Sequence, residues 1–496
     1  MLTKKISKLL FLASITSSIL LGPLALNAFA CTTVVVGKNA TADGSTIAAR
    51  NEDAKTAWDK RFVVHPHSTN KDGATYTSKG NGFTYKLPKT NYKYTATPEW
   101  TEKDGQFEED GINEHGVALS ATESATANDK ALKADPLIKD GIGEDSITSV
   151  VLPHVKTAKD GVKMLGKIVD EKGSSEVNGV IISDKDEVWY MEIGSGHHWV
   201  AQRVPDDSYA VIPNKLCIDK VDLKDDKNYL GSKDLVKFSE DKGLYDPKKD
   251  GDFSFKKAFG TENEKDAKYN NPRIWDGQRI LTPSKKQDIT SKDFSLFMKP
   301  DKKIEVKDVA KVLRSHYNGT EYDPYGEYKD KYRPINVAYT MESHILQCRP
   351  NMPSAVGAVH WLALGVPETS VYVPFYSGIN NTPKAYREGT NIPDYTSAYW
   401  TYRRAGALTT PYYDEYVNKY TKPTLRAVED KLTEHLKETD KYVLDLYKKN
   451  PKEAENYMTD YCTRMADYSQ KKTEEVNKNL ITETTKQTPV HHDSNL

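Results

Sequence analysis

The chain has 496 residues, with 70 Lys+Arg against 71 Asp+Glu, a formal charge of -1 and 37% hydrophobic residues. That length accommodates one large core or two domains; the balanced charge lacks the basic excess of a nucleic-acid binder, and a mean hydropathy of -0.69 excludes a polytopic membrane protein. Four cysteines over this length do not make a disulfide scaffold.

Residues 1–30 read as an export signal. Lys4, Lys5 and Lys8 give a positive start, residues 9–26 are almost entirely apolar or small, and Ala28-Phe29-Ala30 satisfies the small-x-small cleavage rule. Ser14, Ser17, Ser18, Gly22 and Pro23 interrupt the run and argue against a retained membrane anchor. Cleavage after Ala30 predicts a secreted or cell-surface protein of net charge -4 that begins at Cys31. Lipidation of that cysteine calls for an aliphatic residue three positions upstream, where Ala28 stands. Two readings stay open, a disulfide to Cys217, Cys348 or Cys462, and a nucleophile whose own α-amino group is its base.

The β-rich run 32–36 and the run 45–50 predict a hairpin turning through Asp43-Gly44. A strand is expected at 116–120. The spacing of Val162, Leu165, Ile168 and Val169 predicts a helix over 146–173, stopped by Gly173. Four strands follow at 178–183, 187–193, 198–204 and 208–213. Residues 218–268 are crowded with Lys, Asp and Glu and read as a solvated insertion. A short helix is expected at 305–317, and strands return within 334–376, for example at 356–362 and 370–373. From 409 the pattern is helical: Leu425, Val428, Leu432 and Leu436 form an apolar stripe that Tyr442, Val443, Leu446 and Tyr447 continue. This order predicts an α+β fold with layered sheets. It divides into a signal (1–30), a catalytic domain (31–408), a helical extension (409–485) that docks on the body or joins subunits, and a disordered tail (486–496).

Arg50-Asn51-Glu52-Asp53 follows Cys31 one hairpin later. Thiolates attack far better than thiols, and an adjacent cation such as Arg50 favours the thiolate. An α-amine with a pKa of about 7.7–8.0 is partly neutral near pH 7 and can take the thiol proton; Asp53 is placed to hold that amine. The rival is a cysteine–histidine dyad using His316, His344 or His360. His115, within N-E-H-G, reads as a turn residue. His197-His198 and His491-His492 lack a partner at ligand spacing, and neighbours on a strand point in opposite directions, so no metal is expected. Cys217, Cys348 and Cys462 read as buried structural cysteines.

Cys31-Thr32-Thr33, Asp43-Gly44-Ser45-Thr46 and Ala49-Arg50-Asn51-Glu52-Asp53 closely resemble the start of the mature cysteine dipeptidases of the dipeptidase A type. These are N-terminal nucleophile hydrolases related to bile-salt (choloylglycine) hydrolases and penicillin V acylases. Matching pieces continue through Gly111-Ile112-Asn113-Glu114-His115-Gly116, Ala210-Val211-Ile212-Pro213-Asn214, Asn271-Pro272-Arg273-Ile274-Trp275, His344-Ile345-Leu346-Gln347-Cys348-Arg349-Pro350 and Ser397-Ala398-Tyr399-Trp400. The resemblance implies a four-layer αββα sandwich with Cys31 between two sheets, supported by Arg50 and Asp53. It assigns Asn214 as donor to the oxyanion and Arg273, with Arg279 as fallback, as the second site arginine. Glu123 stands where the acylases carry another polar residue, and is read as a contact for the free ammonium of a peptide. The implied activity is dipeptide hydrolysis without metal or organic cofactor. The alternatives are a same-fold amidase for N-acyl amino acids or bile-salt-like amides, and a non-catalytic surface protein.

Overall fold

The first strand reads as an unbroken apolar run because both of its faces are buried. In the computed structural model, which describes residues 31–326 and 331–487, strand β1 (Thr32–Val36) sends Val34 and Val36 into one core and Val35 into another, as a two-residue period requires. β2 (Thr46–Asp53) returns antiparallel beside it, with Thr33 opposite Arg50 and Val35 opposite Ala48. The connection turns where predicted: Gly44 has φ +77°, and Asp43 Oδ1 accepts from Ser45 N at 3.1 Å and Ser45 Oγ at 2.6 Å. The predicted export signal, His491-His492 and most of the predicted tail lie outside the described residues.

Ten further strands complete two antiparallel sheets: β3 (Asp110–Ile112), β4 (Ala118–Ser124), β5 (Asn178–Ser183), β6 (Val188–Ile193), β7 (Trp199–Arg203), β8 (Tyr209–Ile212), β9 (Tyr229–Gly231), β10 (Thr340–Cys348), β11 (Ala358–Leu364) and β12 (Val373–Tyr376). One sheet runs β8-β1-β2-β10-β11-β12, the other β9-β7-β6-β5-β4-β3. Val35, Ala48 and Leu346 of the first share a core with Ile112, Ile181, Tyr190 and Val200 of the second, so the sheets face one another. The far side of the second sheet packs Leu119, Ile182 and Trp189 against helices α1 (Glu144–Val151) and α2 (Ala158–Lys172). The far side of the first sheet is covered by α4 (Val306–Leu313), α5 (Ala398–Thr409), α6 (Lys422–Lys449) and α7 (Pro451–Gln487). One helix, α3 (Asn271–Leu281), enters the site described below. The class is α+β, as the sequence indicates. Among the described residues no helix is long and apolar enough to cross a membrane.

Several local expectations are corrected. The helix expected over 146–173 is two helices, because Pro153 sits in a 3-10 turn (Leu152–His154) and Thr157 caps a fresh start by accepting from Asp160 N. The strand expected at 356–362 begins two residues later, after a helical turn at Ser354–Gly357, and that expected at 370–373 is displaced to Val373–Tyr376 by the turn Pro367–Thr369. The charged stretch 218–268 is not wholly solvated: Leu235, Phe255 and Phe259, carried on short helices, are buried in the core between the sheets. Helix starts at Ala398, before the change in pattern at 409, and the final helix continues through Gln487.

The terminal helices dock on the first sheet through their apolar stripe; Leu425, Val428, Leu432 and Leu436 are buried there, whereas Tyr442 is turned out to solvent. Ion pairs fix the seating. Arg314 grips Glu429 with two bonds of 3.0 and 2.6 Å, and Arg349 with Tyr376 grips Asp440. Arg314 is only 8% exposed, so removing its partner strands a cation with little water. Glu429→Ala is expected to cost roughly 3 kcal/mol, read by chemical denaturation.

Candidate active site

Strand parity distributes the chemistry around Cys31. Thr33 and Val35 face the second sheet, and so does Arg50, opposite Thr33. Asp53, three residues on, belongs to the other face, where Thr32 also points. The R-N-x-D segment therefore flanks the cysteine from two sides.

On the inner side, Arg50 Nη1 lies 3.1 Å from Cys31 Sγ. The guanidinium is fully buried and held all round: Nε donates to Ser120 Oγ (3.0 Å), Nη1 to Thr122 O (2.9 Å), and Nη2 to Ala121 O (2.9 Å) and Glu109 Oε2 (2.7 Å). Burial pushes the Cys31 thiol well above its ordinary pKa; Arg50 opposes the rise, while Glu123, Glu144 and Asp53 add to it. Arg50 pulls the thiol down, as the sequence suggests, but desolvation outweighs it.

On the other side, Asp53 pairs with Arg333 Nη2 and accepts from Thr340 Oγ1. Burial lifts its carboxyl to about 6, against the pull of Arg333. Arg273, in the first turn of α3 after Asn271-Pro272, reaches back to the β1 backbone. Its Nη1 donates to the Cys31 carbonyl and to Thr32 Oγ1 (2.8 Å), and its Nη2 to Asn214 Oδ1 (2.8 Å) and Asn270 Oδ1 (2.7 Å). Asn214, just past β8, is fixed by that contact and by donating Nδ2 to Ser124 O at 2.9 Å. Arg279 lies away from this cluster, paired with Asp276 at 2.7 Å. Glu123 is fully buried; Oε2 accepts from Thr33 Oγ1 at 2.9 Å and Oε1 has no hydrogen-bond partner. Burial raises it to about 7, with Arg273 and Arg50 pulling the other way.

The structure thus gathers Cys31, Arg50, Asp53, Asn214, Arg273 and Glu123 around one strand end. Arg333, Glu109 and Ser120 belong to the same cluster and escape the sequence reading. Arg333 sits in a Tyr- and Lys-rich stretch with no periodicity, and Ser120 is one residue of an ordinary strand.

None of the three histidines of the rival dyad bonds the sulfur. His316 is taken by Asp323 (3.0 Å) and Tyr413 (2.8 Å). His344 bonds Ser120 and carboxylates, and His360 Nε2 lies 2.9 Å from Asp110. His115 is exposed in a turn where Asn113 Oδ1 accepts from its backbone N–H at 3.0 Å. His197 and His198 both bond Asp135. Among the described residues, donor atoms of Asp110, Glu342 and His344 crowd together as a metal site requires. Their separations of 2.9–3.0 Å are those of hydrogen bonds from the His344 ring to its carboxylates.

Residues 30–426 match the model of peptidase family C69. A probable dipeptidase of Latilactobacillus sakei is 47% identical over 389 residues, covering 77% of this chain and 82% of that protein. A probable dipeptidase of Salmonella dublin is 43% identical over 356 residues (71% and 82%), and a dipeptidase of Bifidobacterium longum 38% identical over 412 (76% and 77%).

Arg333 is the main influence holding Asp53 down against burial. In Arg333→Met the Asp53 carboxyl is expected to titrate above its present value of about 6, read as an alkaline move of its NMR titration midpoint.

Proposed function

Because the chain belongs to peptidase family C69 and is a hydrolase of peptide bonds, we propose that it is an exported cysteine dipeptidase whose nucleophile is Cys31 and whose base is that residue's own α-amine. The observation that carries this reading is the buried Arg50 guanidinium 3.1 Å from the Cys31 sulfur. The succession of helices, sheet, sheet and helices supports the αββα sandwich of N-terminal nucleophile hydrolases. Export and exposure of the amine rest on the charged, apolar and Ala28-Phe29-Ala30 segments of residues 1–30.

The chemistry follows from the environment. A desolvated thiol gives up its proton only to a nearby acceptor, and the α-nitrogen on the same residue is one. Asp53, at the end of β2 beyond the residue level with Cys31, is positioned to orient that amine, with Arg333 and Thr340 holding the carboxylate. As the proton leaves, Arg50 balances the charge left on sulfur. The thiolate adds to the peptide carbonyl, and the negative oxygen is held by the Asn214 amide. The C–N bond breaks as the ammonium returns its proton to the leaving amine, leaving a thioester on Cys31 that water hydrolyses. Arg273 clamps the Cys31 carbonyl and so fixes the main chain from which the sulfur swings. Glu123 receives the substrate ammonium through its unpartnered Oε1, which favours unblocked peptides over N-acyl compounds.

The protein from its native host is expected to begin at Cys31 with a free amine, as read by intact mass and N-terminal sequencing. A lipid on that nitrogen or sulfur would end the proposed mechanism. Cys31→Ser is expected to fold and be exported while losing dipeptide hydrolysis; retained activity would remove Cys31 from the nucleophile's role. Since binding an ammonium needs Glu123 ionised and its carboxyl sits at about 7, KM for unblocked dipeptides should rise as pH falls through that value. Glu123→Gln should flatten this dependence and erase the preference for free over acetylated N-termini in a substrate panel.

A further inference from the structure

A second buried charge stands behind Arg50. β10 runs antiparallel to β2 with His344 directly opposite Arg50, so both side chains enter the space between the sheets. His344 is fully buried. Its Nδ1 lies 3.0 Å from Asp110 Oδ2 and 2.9 Å from Glu342 Oε1, and its Nε2 lies 2.9 Å from Ser120 Oγ. That same oxygen accepts from Arg50 Nε at 3.0 Å, and Arg50 Nη1 stands 3.1 Å from the Cys31 sulfur. One unbroken line of contacts thus joins two buried carboxylates to the thiol.

Resting on the assignment of Cys31 above, we propose that His344 is a positioning residue for the reaction, a buried imidazolium that fixes Ser120, through which it holds the Nε edge of Arg50 so that Nη1 faces the sulfur. An imidazolium donates from both nitrogens and accepts at neither. With the carboxylates on Nδ1, its other N–H goes to Ser120, whose oxygen then receives one donor from the ring and one from Arg50. A neutral ring instead takes the serine proton, and Ser120 loses the restraint of a second donor. The surroundings favour the charged ring. Burial acts to discharge it, but Asp110 and Glu342 prevail and lift it to about 9. The charged and titratable groups around it are Asp110 from β3, Glu342 from its own strand, Arg50 from β2 and His360 from β11, whose Nε2 is 2.9 Å from Asp110 Oδ1. Beyond them lie Glu109 on Arg50 and the Lys60–Glu52 pair. The other nitrogens of Arg50 are held by Glu109 and by the carbonyls of Ala121 and Thr122, leaving Ser120 as the partner of Nε.

The test is the rate at which iodoacetamide alkylates Cys31 across neutral and alkaline pH, quantified on the Cys31 peptide by mass spectrometry. It compares the mature wild type with His344→Gln, Ser120→Ala and the double variant, each also followed by thermal unfolding. A buried ion with only a structural role changes the unfolding temperature and leaves the thiol's titration alone. On the proposal each single variant slows alkylation at neutral pH roughly tenfold, the scale of one hydrogen bond to a charged group, and moves the thiol titration alkaline. The double variant is then no slower than the worse single, because the two residues act in series. Wild-type titration in both folded single variants, or losses that multiply in the double, overturns the proposal. Should His344→Gln fail to fold, Ser120→Ala decides alone, since it leaves the ring and its carboxylates in place; an unchanged thiol there is the overturning result. Alkylation needs no turnover, so this outcome is separate from the hydrolysis assay of Cys31→Ser that tests the reading beneath it.

Discussion

Everything near the Cys31 sulfur depends on keeping one guanidinium charged where water does not reach. A buried cation is costly unless its donors are met and its charge is balanced. Arg50, carried on the first sheet, meets that condition with β4 and with Glu109 beside β3 in the second, and the demand explains an irregularity in β4. The register of β4 against β5 shifts between Ala121 and Glu123. In a regular strand successive carbonyls point in opposite directions, so a single side chain cannot collect two neighbours. At this break, the carbonyls of Ala121 and Thr122 both accept from Arg50. The bulge is thus part of the cation's solvation, and it also turns Glu123 toward Thr33 and the first sheet.

Parity along β2 divides the remaining labour. Side chains at Arg50 and Asp53 leave the strand on opposite faces, so Arg50 meets the thiol on the inner side while Asp53 joins Arg333 and Thr340 on the other. The second face is built like the first, with paired arginines answered by a carboxylate and by neutral acceptors. Arg273 bonds the Cys31 carbonyl, Thr32, Asn214 and Asn270, while Arg333 bonds Asp53 and Thr32. Burial together with Arg333 lowers Arg273 to about 10, while Asp53, against the pull of burial, raises Arg333 above its ordinary value. Cys31, one residue before β1, is thus met at its sulfur by Arg50 and at its carbonyl by Arg273.

The parts legible in the sequence are those whose partners are near in the chain. The hairpin, the Asp43-Gly44 turn and the Arg50–Cys31 pairing are separated by few residues, and period and turn chemistry place them. Asn214 and Arg273 were reachable only through resemblance, since nothing local distinguishes an asparagine after a strand or an arginine in a first helical turn. Ser120 and His344 meet across a separation of 224 residues, and no periodicity encodes such a contact. Charge misled most in 218–268, where Leu235, Phe255 and Phe259 are too sparse to set a pattern yet are buried between the sheets. Pro153, by contrast, is a visible stop inside the helix expected over 146–173, and the stripe that predicts this helix, Val162 to Val169, lies wholly beyond it.

Three acids share the space about the β1 terminus, and burial raises all of them: Asp53 to about 6, Glu123 to about 7, and the Cys31 thiol well above its ordinary value. Their charges oppose one another, for ionised Glu123 and Asp53 both make the thiolate harder to form. On the proposed reading, the cost is lifted when the substrate arrives. A peptide ammonium seated on Glu123 cancels the carboxylate's repulsion of the sulfur and leaves Arg50 less opposed. The thiol then ionises more readily beside a bound dipeptide than in the empty site. An acylated substrate brings no such charge, so the same carboxylate that recognises a free amine also withholds activation from molecules that lack one.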